Sequence, residues 1–502
     1  MTLSDNSEVQ PEPTDLDITQ NVQPIRDDLM IADVPRGGWA GWAGPLFATF
    51  IGTLLRLPNL GKPHALIFDE TYYVKDGLSL IKFGYERKAV DGADEKLLSG
   101  STDIFQGGAS YVVHPPLGKW IIGFGEHMFG ATPFGWRIMM AVLGIASILI
   151  TARVARRLTH SNVIGTTAGL LLAFDGLHIT MSRTALLDTP LSFFIICAFA
   201  CLILDRDHNR MRTEFARGVR QPRVWMTFFL GCAVSTKWSG IYFALVFGLL
   251  MLFWDWQARQ ERIEITATKN WVIRDFLPAL LMPLAIVAMY IASWVGWFRT
   301  KGGWNRDWSG DSPLPQPLAA LLHYHQDMYN FHTHLTSAHS YKANPLTWPF
   351  MIRPTSFFYE TASTCGSDSC SQEVIPLGNP LIWWGGVVAL GVMAWLIARR
   401  RHPAALPILA GFLAGWAPWL IYIQRTTFTF YSVVFIPFTA MACALALHLV
   451  THRKKNDDTW NWPMVATIGA VALLTAFFYP ILVGQSLTYD MWQLRMWLPS
   501  WI

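Results

Sequence analysis

A succession of apolar runs, most of them close to twenty residues long, constrains this chain more than anything else in it. The runs cover about 41–59, 136–157, 162–180, 188–204, 224–236, 239–254, 276–298, 380–398, 404–422, 429–450 and 462–483. As a helix, roughly 20 apolar residues reach across a bilayer, and only segments that satisfy their own backbone hydrogen bonds are stable in hydrocarbon. The expected fold is therefore an all-α polytopic membrane protein, a bundle of about 11 transmembrane helices. Composition agrees, since 52% hydrophobic residues, 15% charged residues and a mean hydropathy of +0.29 exclude a soluble globular chain. The net charge of +4 is scattered through short connectors, so no nucleic acid is expected as a partner.

Lys and Arg in short flanking loops set the orientation of the spans. Five connectors are strongly basic: Arg153, Arg156 and Arg157; Arg206 to Arg223; Arg259, Arg262, Lys269 and Arg274; Arg399 to Arg401; and Arg453, Lys454 and Lys455. All five are predicted to be cytoplasmic, so an even number of crossings must separate each from the next. That condition makes 224–236 and 239–254 a helical hairpin with its tip near Lys237. Residues 1–40 are polar and acidic without a secretory signal, and read as a disordered cytoplasmic tail. The remaining expected regions are a transmembrane region at 41–298 that carries an external loop at 60–135, an external loop with short helices at 299–379, and a transmembrane region at 380–502. Residues 117–130 (LGKWIIGFGEHMFG) are too short to cross and read as a juxtamembrane, amphipathic helix.

This topology places two adjacent carboxylates outside, Asp69 and Glu70 in IFDETYYVKD. It also leaves Arg183, Lys237 and Arg425 in short external loops, where the charge bias should have removed them. Each cation alone is explained by pairing at a helix end. Together, beside an acidic pair, they suggest a pocket for an anion such as the phosphate of a lipid. The structural alternative for the acidic pair is a helix start, with Asp69 as N-cap and Glu70 in the first turn. Asp175 is the main charge inside an apolar run.

Five motifs, in order along the chain, resemble the protein O-mannosyltransferases: FDETYYVKD, HPPLGKW at 114–120, SRTALLDTPLSFF at 182–194, STKWSG at 235–240, and YHQDMYNFHTHL with HSYKANPLTW within 324–348. CGSDSC and NPLIWW look like the actinobacterial branch. The resemblance implies a GT-C-type glycosyltransferase of the plasma membrane with an extracytoplasmic active site. It implies polyprenyl-phosphate mannose as donor, Ser and Thr of secreted polypeptides as acceptors, membrane lipids and a secretion translocon as partners, and an inverting reaction with Asp69 as base. No cofactor beyond the lipid-linked donor is implied, and a divalent cation is left open. Fungal and animal relatives carry a β-trefoil MIR domain, which 299–379 is too short to hold.

The chemistry points the same way. Moving a sugar from a phospholipid to a hydroxyl requires a base, whereas a phosphate leaving group needs cations rather than a general acid. Neighbouring side chains diverge, so Glu70 is expected to orient the acceptor or the loop while Asp69 takes the proton. Arg183, Lys237, Arg425 and His114 are the candidate donor-binding residues, and Tyr72, Tyr73, His332 and His334 the candidate pocket residues. Pro115 and Pro116 forbid helix at His114 and start one near Leu117, where Lys119 faces the pocket or anchors the interface. His323, His325, His332, His334 and His339 lack a completing ligand set, so no metal is expected; a helix at 317–335 is expected to cover the cavity. Cys365 and Cys370 suit a small external disulfide loop, while Cys197, Cys201, Cys232 and Cys443 sit in apolar runs as small hydrophobes. Trp294, Trp297, Trp383, Trp384, Trp416 and Trp419 read as interfacial belt residues, and Trp304, Trp308 or Trp348 as sugar-stacking candidates. A GT-C enzyme with a lipid or glycan acceptor is one rival. The other is a secondary transporter, which calls for ionisable residues at mid-span and related halves.

Overall fold

The computed structural model describes residues 38–211, 220–260, 277–361, 365–452 and 458–502. The tail at 1–37 and the connector residues Arg212, Arg217, Arg262, Lys269, Arg274, Arg453, Lys454 and Lys455 lie outside the described residues.

Among the described residues every apolar run is largely helical. The chain begins with α1 (Ala40–Arg56), then folds α2 (Glu70–Phe83), α3 (Ala93–Leu98) and α4 (Leu117–Phe129) before α5 (Pro133–Thr159). A two-stranded antiparallel ribbon, β1 (Arg87–Ala89) with β2 (Phe105–Ala109), lies among the short helices. The next run is split into α6 (Asn162–Phe174) and α7 (Gly176–Met181), and α8 (Asp188–Met211) follows. The hairpin is α9 (Gln221–Thr236) and α10 (Gly240–Gln260), with Lys237 at its tip. Then come α11 (Leu277–Ser293), α12 (Val295–Arg299) and α13 (Gln316–His334). The late bundle is α14 (Pro380–Ala398), α15 (Ala405–Trp416), α16 (Ile436–Thr451) and α17 (Trp462–Val483), ending in α18 (Tyr489–Gln493). Among the described residues, five helices are long and apolar enough to span outright (α5, α8, α10, α14 and α17), and shorter apolar helices accompany them. The protein is a multi-pass membrane protein.

Local signals start these helices where they begin. Thr132, Asn379 and Asn461 accept hydrogen bonds from the first turns of α5, α14 and α17, and each helix has proline in its first two positions. Helices in lipid gain little from hydrophobicity against one another and associate through close packing of small residues. Ala48 of α1, Ala152 of α5 and Gly169 of α6 meet in this way: a methyl added at Gly169 would lie 2.9 Å from both alanine Cβ atoms. Gly77 and Gly123 bring α2 and α4 equally close, since a Cβ at Gly123 would lie 2.4 Å from the Gly77 carbonyl oxygen.

The charge inside an apolar run marks a break. At Asp175 the backbone turns extended, and its carboxylate caps α7 by accepting from His178 N (2.8 Å) and from Trp383 Nε1 (2.7 Å). Arg56 donates to the freed carbonyls of Leu172 (3.2 Å) and Ala173 (3.0 Å) at the end of α6. Both side chains are fully buried. Irregular backbone at membrane depth must find such partners.

A three-stranded antiparallel sheet joins the second long connector to the C-terminal segment, with β4 (Cys370–Val374) between β3 (Phe358–Glu360) and β5 (Ser486–Thr488). Cys365 and Cys370 are disulfide-bonded beside it. The tryptophan expectation is corrected in part. Trp294, Trp297 and Trp383 are buried packing residues, and Trp383 is tied to Asp175. Trp348 is fully buried against the Ala343 carbonyl, which removes it as a sugar platform. Trp308 instead stacks on His323, 4.6 Å between ring centroids, and Trp304 takes the Trp297 indole N–H on its carbonyl at 3.0 Å.

Candidate active site

The acidic pair sits on the turn that leads into α2. Glu70 N donates to Ile67 O (3.0 Å), and the Glu70 carboxylate returns the contact by accepting from Ile67 N (3.0 Å). Arg137 of α5 then clamps the same carboxylate on both oxygens, Nε to Oε1 at 2.8 Å and one terminal nitrogen to Oε2 at 2.7 Å. Ala185 N adds a fourth bond, to Oε1 at 2.8 Å. Each oxygen thus accepts twice, both side chains are fully buried, and no lone pair is left for a substrate. The remaining Arg137 donors hold the carbonyls of Pro63 (3.0 Å) and Ala65 (2.8 Å). Of the two roles expected for Glu70, orienting the acceptor or the loop, these bonds leave it the loop.

Asp69 is the opposite case. Its side chain does not cap α2, and its backbone is helical rather than extended, so the N-cap reading does not hold. Among the described residues its half-buried carboxylate has no hydrogen bond or ion pair. Burial pushes its pKa up to about 6, the Lys237 ammonium opposing this and the Asp188 carboxylate reinforcing it. Lys237 lies in ion-pair contact with Asp188, 2.9 and 3.1 Å to its two oxygens, and 4.1 Å from the centre of the Tyr431 ring. The ammonium is thus paired with Asp188 while also acting on the Asp69 carboxyl. Asp188 was not singled out from the sequence; its signal was the end of SRTALLD, where an acid opens α8. Tyr73, one helical turn after Asp69, has its ring 6.2 Å from that of His114. Burial first, then Asp69 and Asp188, hold its phenol well above the usual range and so protonated.

A cavity of about 450 Å³ opens beside this group, its wall including His114, Lys237, Trp238, His332, Arg425 and Tyr431. Ile241, Ile286 and Val287 of α10 and α11 form an apolar flank. A narrow crevice shares Tyr242, Trp419 and Tyr431 with the cavity and reaches Asp188. Asp69 is not part of the wall; Lys237, whose ammonium acts on the Asp69 carboxyl, and His114, against which Tyr73 packs, are. The expected helix of the second connector, α13, supplies His325 and His332. His332 Nε2 donates to Val113 O (2.6 Å), which leaves Nδ1 to accept from Arg425 at 3.3 Å. Burial lowers the His332 pKa to about 4, and burial with Lys237 nearby holds His114 well below the usual histidine range. Both rings are neutral at pH 7, so the cavity's positive charge comes from Lys237 and Arg425. Trp238 is fixed at the wall by its Nε1 donating to the Tyr290 hydroxyl (2.9 Å), which in turn meets His325 Nε2 at 2.6 Å.

Of the other expected site residues, Arg183 is corrected. Its guanidinium donates to the carbonyls of Arg56 (2.6 Å), Pro58 (2.9 Å) and Asn59 (3.0 Å), tying down the chain that leaves α1, and it does not line the cavity. Tyr72 is 63% exposed and His334 is exposed with Nδ1 turned back to Asn330 O (2.8 Å); neither lines the cavity. Lys119 is buried against Glu86 and 3.8 Å from Asp76, neither pocket residue nor anchor. Among the described residues no group of three or more His, Cys, Asp or Glu side chains is arranged to hold a metal ion.

Comparison with known proteins adds to this geometry. Residues 46–295 match the family model described as dolichyl-phosphate-mannose-protein mannosyltransferase, and residues 317–501 match the C-terminal four TMM region of protein-O-mannosyltransferase. The polyprenol-phosphate-mannose–protein mannosyltransferase of Mycolicibacterium smegmatis is 34% identical over 92% of this chain and 93% of the relative. The enzyme of the same name from Corynebacterium glutamicum is 32% identical over 87% of this chain and 88% of the relative. In fold, the chain superposes on the Saccharomyces cerevisiae protein O-mannosyltransferase Pmt1-Pmt2 complex bound to the sugar donor, with a TM-score of 0.73 at 14% identity over 92% of each chain. With a helix bundle that superposes on that of a protein O-mannosyltransferase, and with relatives matched over nearly its full length, this chain belongs to the dolichyl-phosphate-mannose-protein mannosyltransferase family.

Proposed function

We propose that the protein transfers mannose from polyprenyl-phosphate mannose to Ser or Thr hydroxyls of exported polypeptides, at the outer face of the plasma membrane and with inversion at the sugar carbon. One observation carries the reading: a carboxylate with a pKa near 6 and no side-chain partner among the described residues, Asp69, lies close enough to feel the Lys237 ammonium, which with Arg425 supplies the positive charge that the described residues bring to the cavity. The carrier phosphate sits against these two cations, with the lipid leaving along the apolar flank of Ile241, Ile286 and Val287. Asp69 accepts the hydroxyl proton as the acceptor oxygen bonds to the sugar carbon and the bond from that carbon to the phosphate oxygen breaks. Charge developing on the phosphate is stabilised by the two cations already in place. At pH 7 a carboxyl of pKa near 6 is mostly ionised, yet basic enough to hold the proton it takes. The transporter reading loses its footing, because the mid-span charge at Asp175 is consumed in capping a helix break.

The test supplies membranes with radiolabelled polyprenyl-phosphate mannose and a Ser/Thr-rich peptide. Wild type labels the peptide and Asp69→Asn labels it at under about 1% of that rate, the scale of losing a general base. Equal labelling removes Asp69 from the mechanism, and label in lipid or glycan with none in peptide changes the acceptor. Topology reporters at Arg212 and Ala343 are expected on opposite sides of the membrane.

A further inference from the structure

The base stands on a turn whose backbone is unfavourable for the residue preceding it. Phe68 has φ +49°, and Asp69 follows at φ −71°, ψ −2°. These signs are those of a type II′ turn, whose first central position favours glycine. An aromatic residue at positive φ is an outlier that persists only where its surroundings over-determine it. Here the surroundings are rings from distant parts of the chain. Phe68 stacks on Phe357, with centroids 4.8 Å apart and planes 13° apart, and meets Phe430 edge-on at 5.4 Å and Phe428 at 5.8 Å. On the other side of the turn Glu70 is locked to Arg137, and Ile67 is buried. Of residues 67–70, only Asp69 has a side chain left free.

We propose that Phe68 is a positioning residue for the transfer reaction: its ring, seated among Phe357, Phe428 and Phe430, holds the turn in its left-handed conformation and so fixes Asp69 beside Lys237 and Asp188. The late segments 357 and 428–430 thereby become part of the catalytic apparatus without touching substrate. The proposal rests on the reading of Asp69 as base.

Ring and backbone are separable by substitution. Phe68→Gly accepts positive φ without strain but removes the peg, whereas Phe68→Tyr keeps it. The full-length enzyme, in detergent with polyprenyl-phosphate mannose and a Ser/Thr peptide, is assayed for kcat, donor KM, pH profile and melting temperature. Phe68→Gly is expected to lower kcat at least tenfold with donor KM within twofold, since Lys237 and Arg425 are untouched. Its acid limb moves to lower pH, because a displaced Asp69 is better hydrated and further from the Asp188 carboxylate, with Lys237 and the Tyr73 phenol the other groups facing it. Phe68→Tyr is expected to keep at least half of wild-type kcat. Phe357→Leu should reproduce the Phe68→Gly signature, and the double variant should be no worse than Phe68→Gly alone. A Phe68→Gly kcat within twofold of wild type, a loss confined to KM, or a loss that follows melting temperature with an unmoved acid limb overturns the proposal. Should Phe68→Gly not fold, Phe357→Leu decides on the same criteria. An inactive Asp69→Asn beside a fully active Phe68→Gly sinks the positioning role alone; an active Asp69→Asn sinks the base.

Discussion

Asp69→Asn should be an inactive protein that is more stable than wild type at neutral pH. Burial raises the Asp69 pKa from its ordinary 3.8 to about 6, so the folded state holds this proton more tightly than the unfolded chain. A carboxyl whose folded pKa is raised contributes an unfavourable term once ionised. Below pH 3.8 both states are protonated and the term is absent. It grows as pH rises from 3.8 to about 6, and is constant above. At about 1.4 kcal/mol per pKa unit, the interval corresponds to about 3 kcal/mol at most, and water at the exposed edge of the side chain brings it toward about 1–2 kcal/mol. Asparagine has the same shape with no charge to desolvate, so it removes the term.

The measurement is a pair of thermal melts, wild type and Asp69→Asn in the same detergent, at intervals from pH 4 to pH 8. The variant is expected to melt higher by on the order of 2 °C at pH 7.5, given the large unfolding entropy of a chain this long. The difference should close between pH 6 and pH 4. A variant less stable than wild type at pH 7.5 would show that the carboxylate makes a favourable contact and is not held free. A gap that stays the same at pH 4 would trace the effect to packing and remove ionisation from the explanation.

Three further outcomes follow from the same geometry. Glu70→Ala leaves the Arg137 guanidinium buried without its counter-charge, which costs about 3–5 kcal/mol, and Arg137→Ala costs a similar amount; the pair should be strongly non-additive in a double-mutant cycle read by melting temperature and yield. Lys237→Ala and Arg425→Ala should each lower kcat/KM for the donor by about 10- to 100-fold, the scale of a charge-assisted contact of about 1.5–3 kcal/mol, while Arg183→Lys should alter stability and leave donor KM within twofold. The kcat/KM profile should fall on the acid side with a midpoint near pH 6 from Asp69, and His332→Gln should not move that midpoint, since His332 takes up its proton only near pH 4.

What the sequence disclosed follows from the range of each interaction. Helix positions are local: runs, caps and prolines placed α13 at 316–334, close to the expected 317–335, and put the hairpin tip at Lys237. Short loops expected outside were equally informative about charge, because Lys237 and Arg425 break the bias expected there, and the structure brings both to one cavity with His114 and His332. Arg183 breaks the same bias and yet does something else. Its partners are the carbonyls of 56, 58 and 59, more than 120 residues earlier, and no pattern in the chain records that pairing. Tryptophans mislead for a related reason. Belt and core tryptophans share one composition, and only a partner such as Asp175 for Trp383 tells them apart.

The division of labour within the acidic pair shows why adjacency in sequence is weak evidence of shared chemistry. Glu70 is the first residue of α2 and is directed into protein, where Arg137 and two backbone amides consume all its capacity to accept. That complete satisfaction is what allows its neighbour to be left incomplete. A turn held on one side by a buried ion pair and on the other by stacked rings does not relax to give Asp69 a partner, so the carboxylate keeps the raised pKa that isolation and burial confer. On the proposed reading of Asp69 as base, the Asp-Glu order carries the mechanism. Exchanging the two residues, Asp69→Glu with Glu70→Asp, preserves charge and composition but shortens the arm that must reach Arg137, so the loop's anchor and the proposed base are expected to fail together, read as lost melting temperature and lost peptide labelling in one variant.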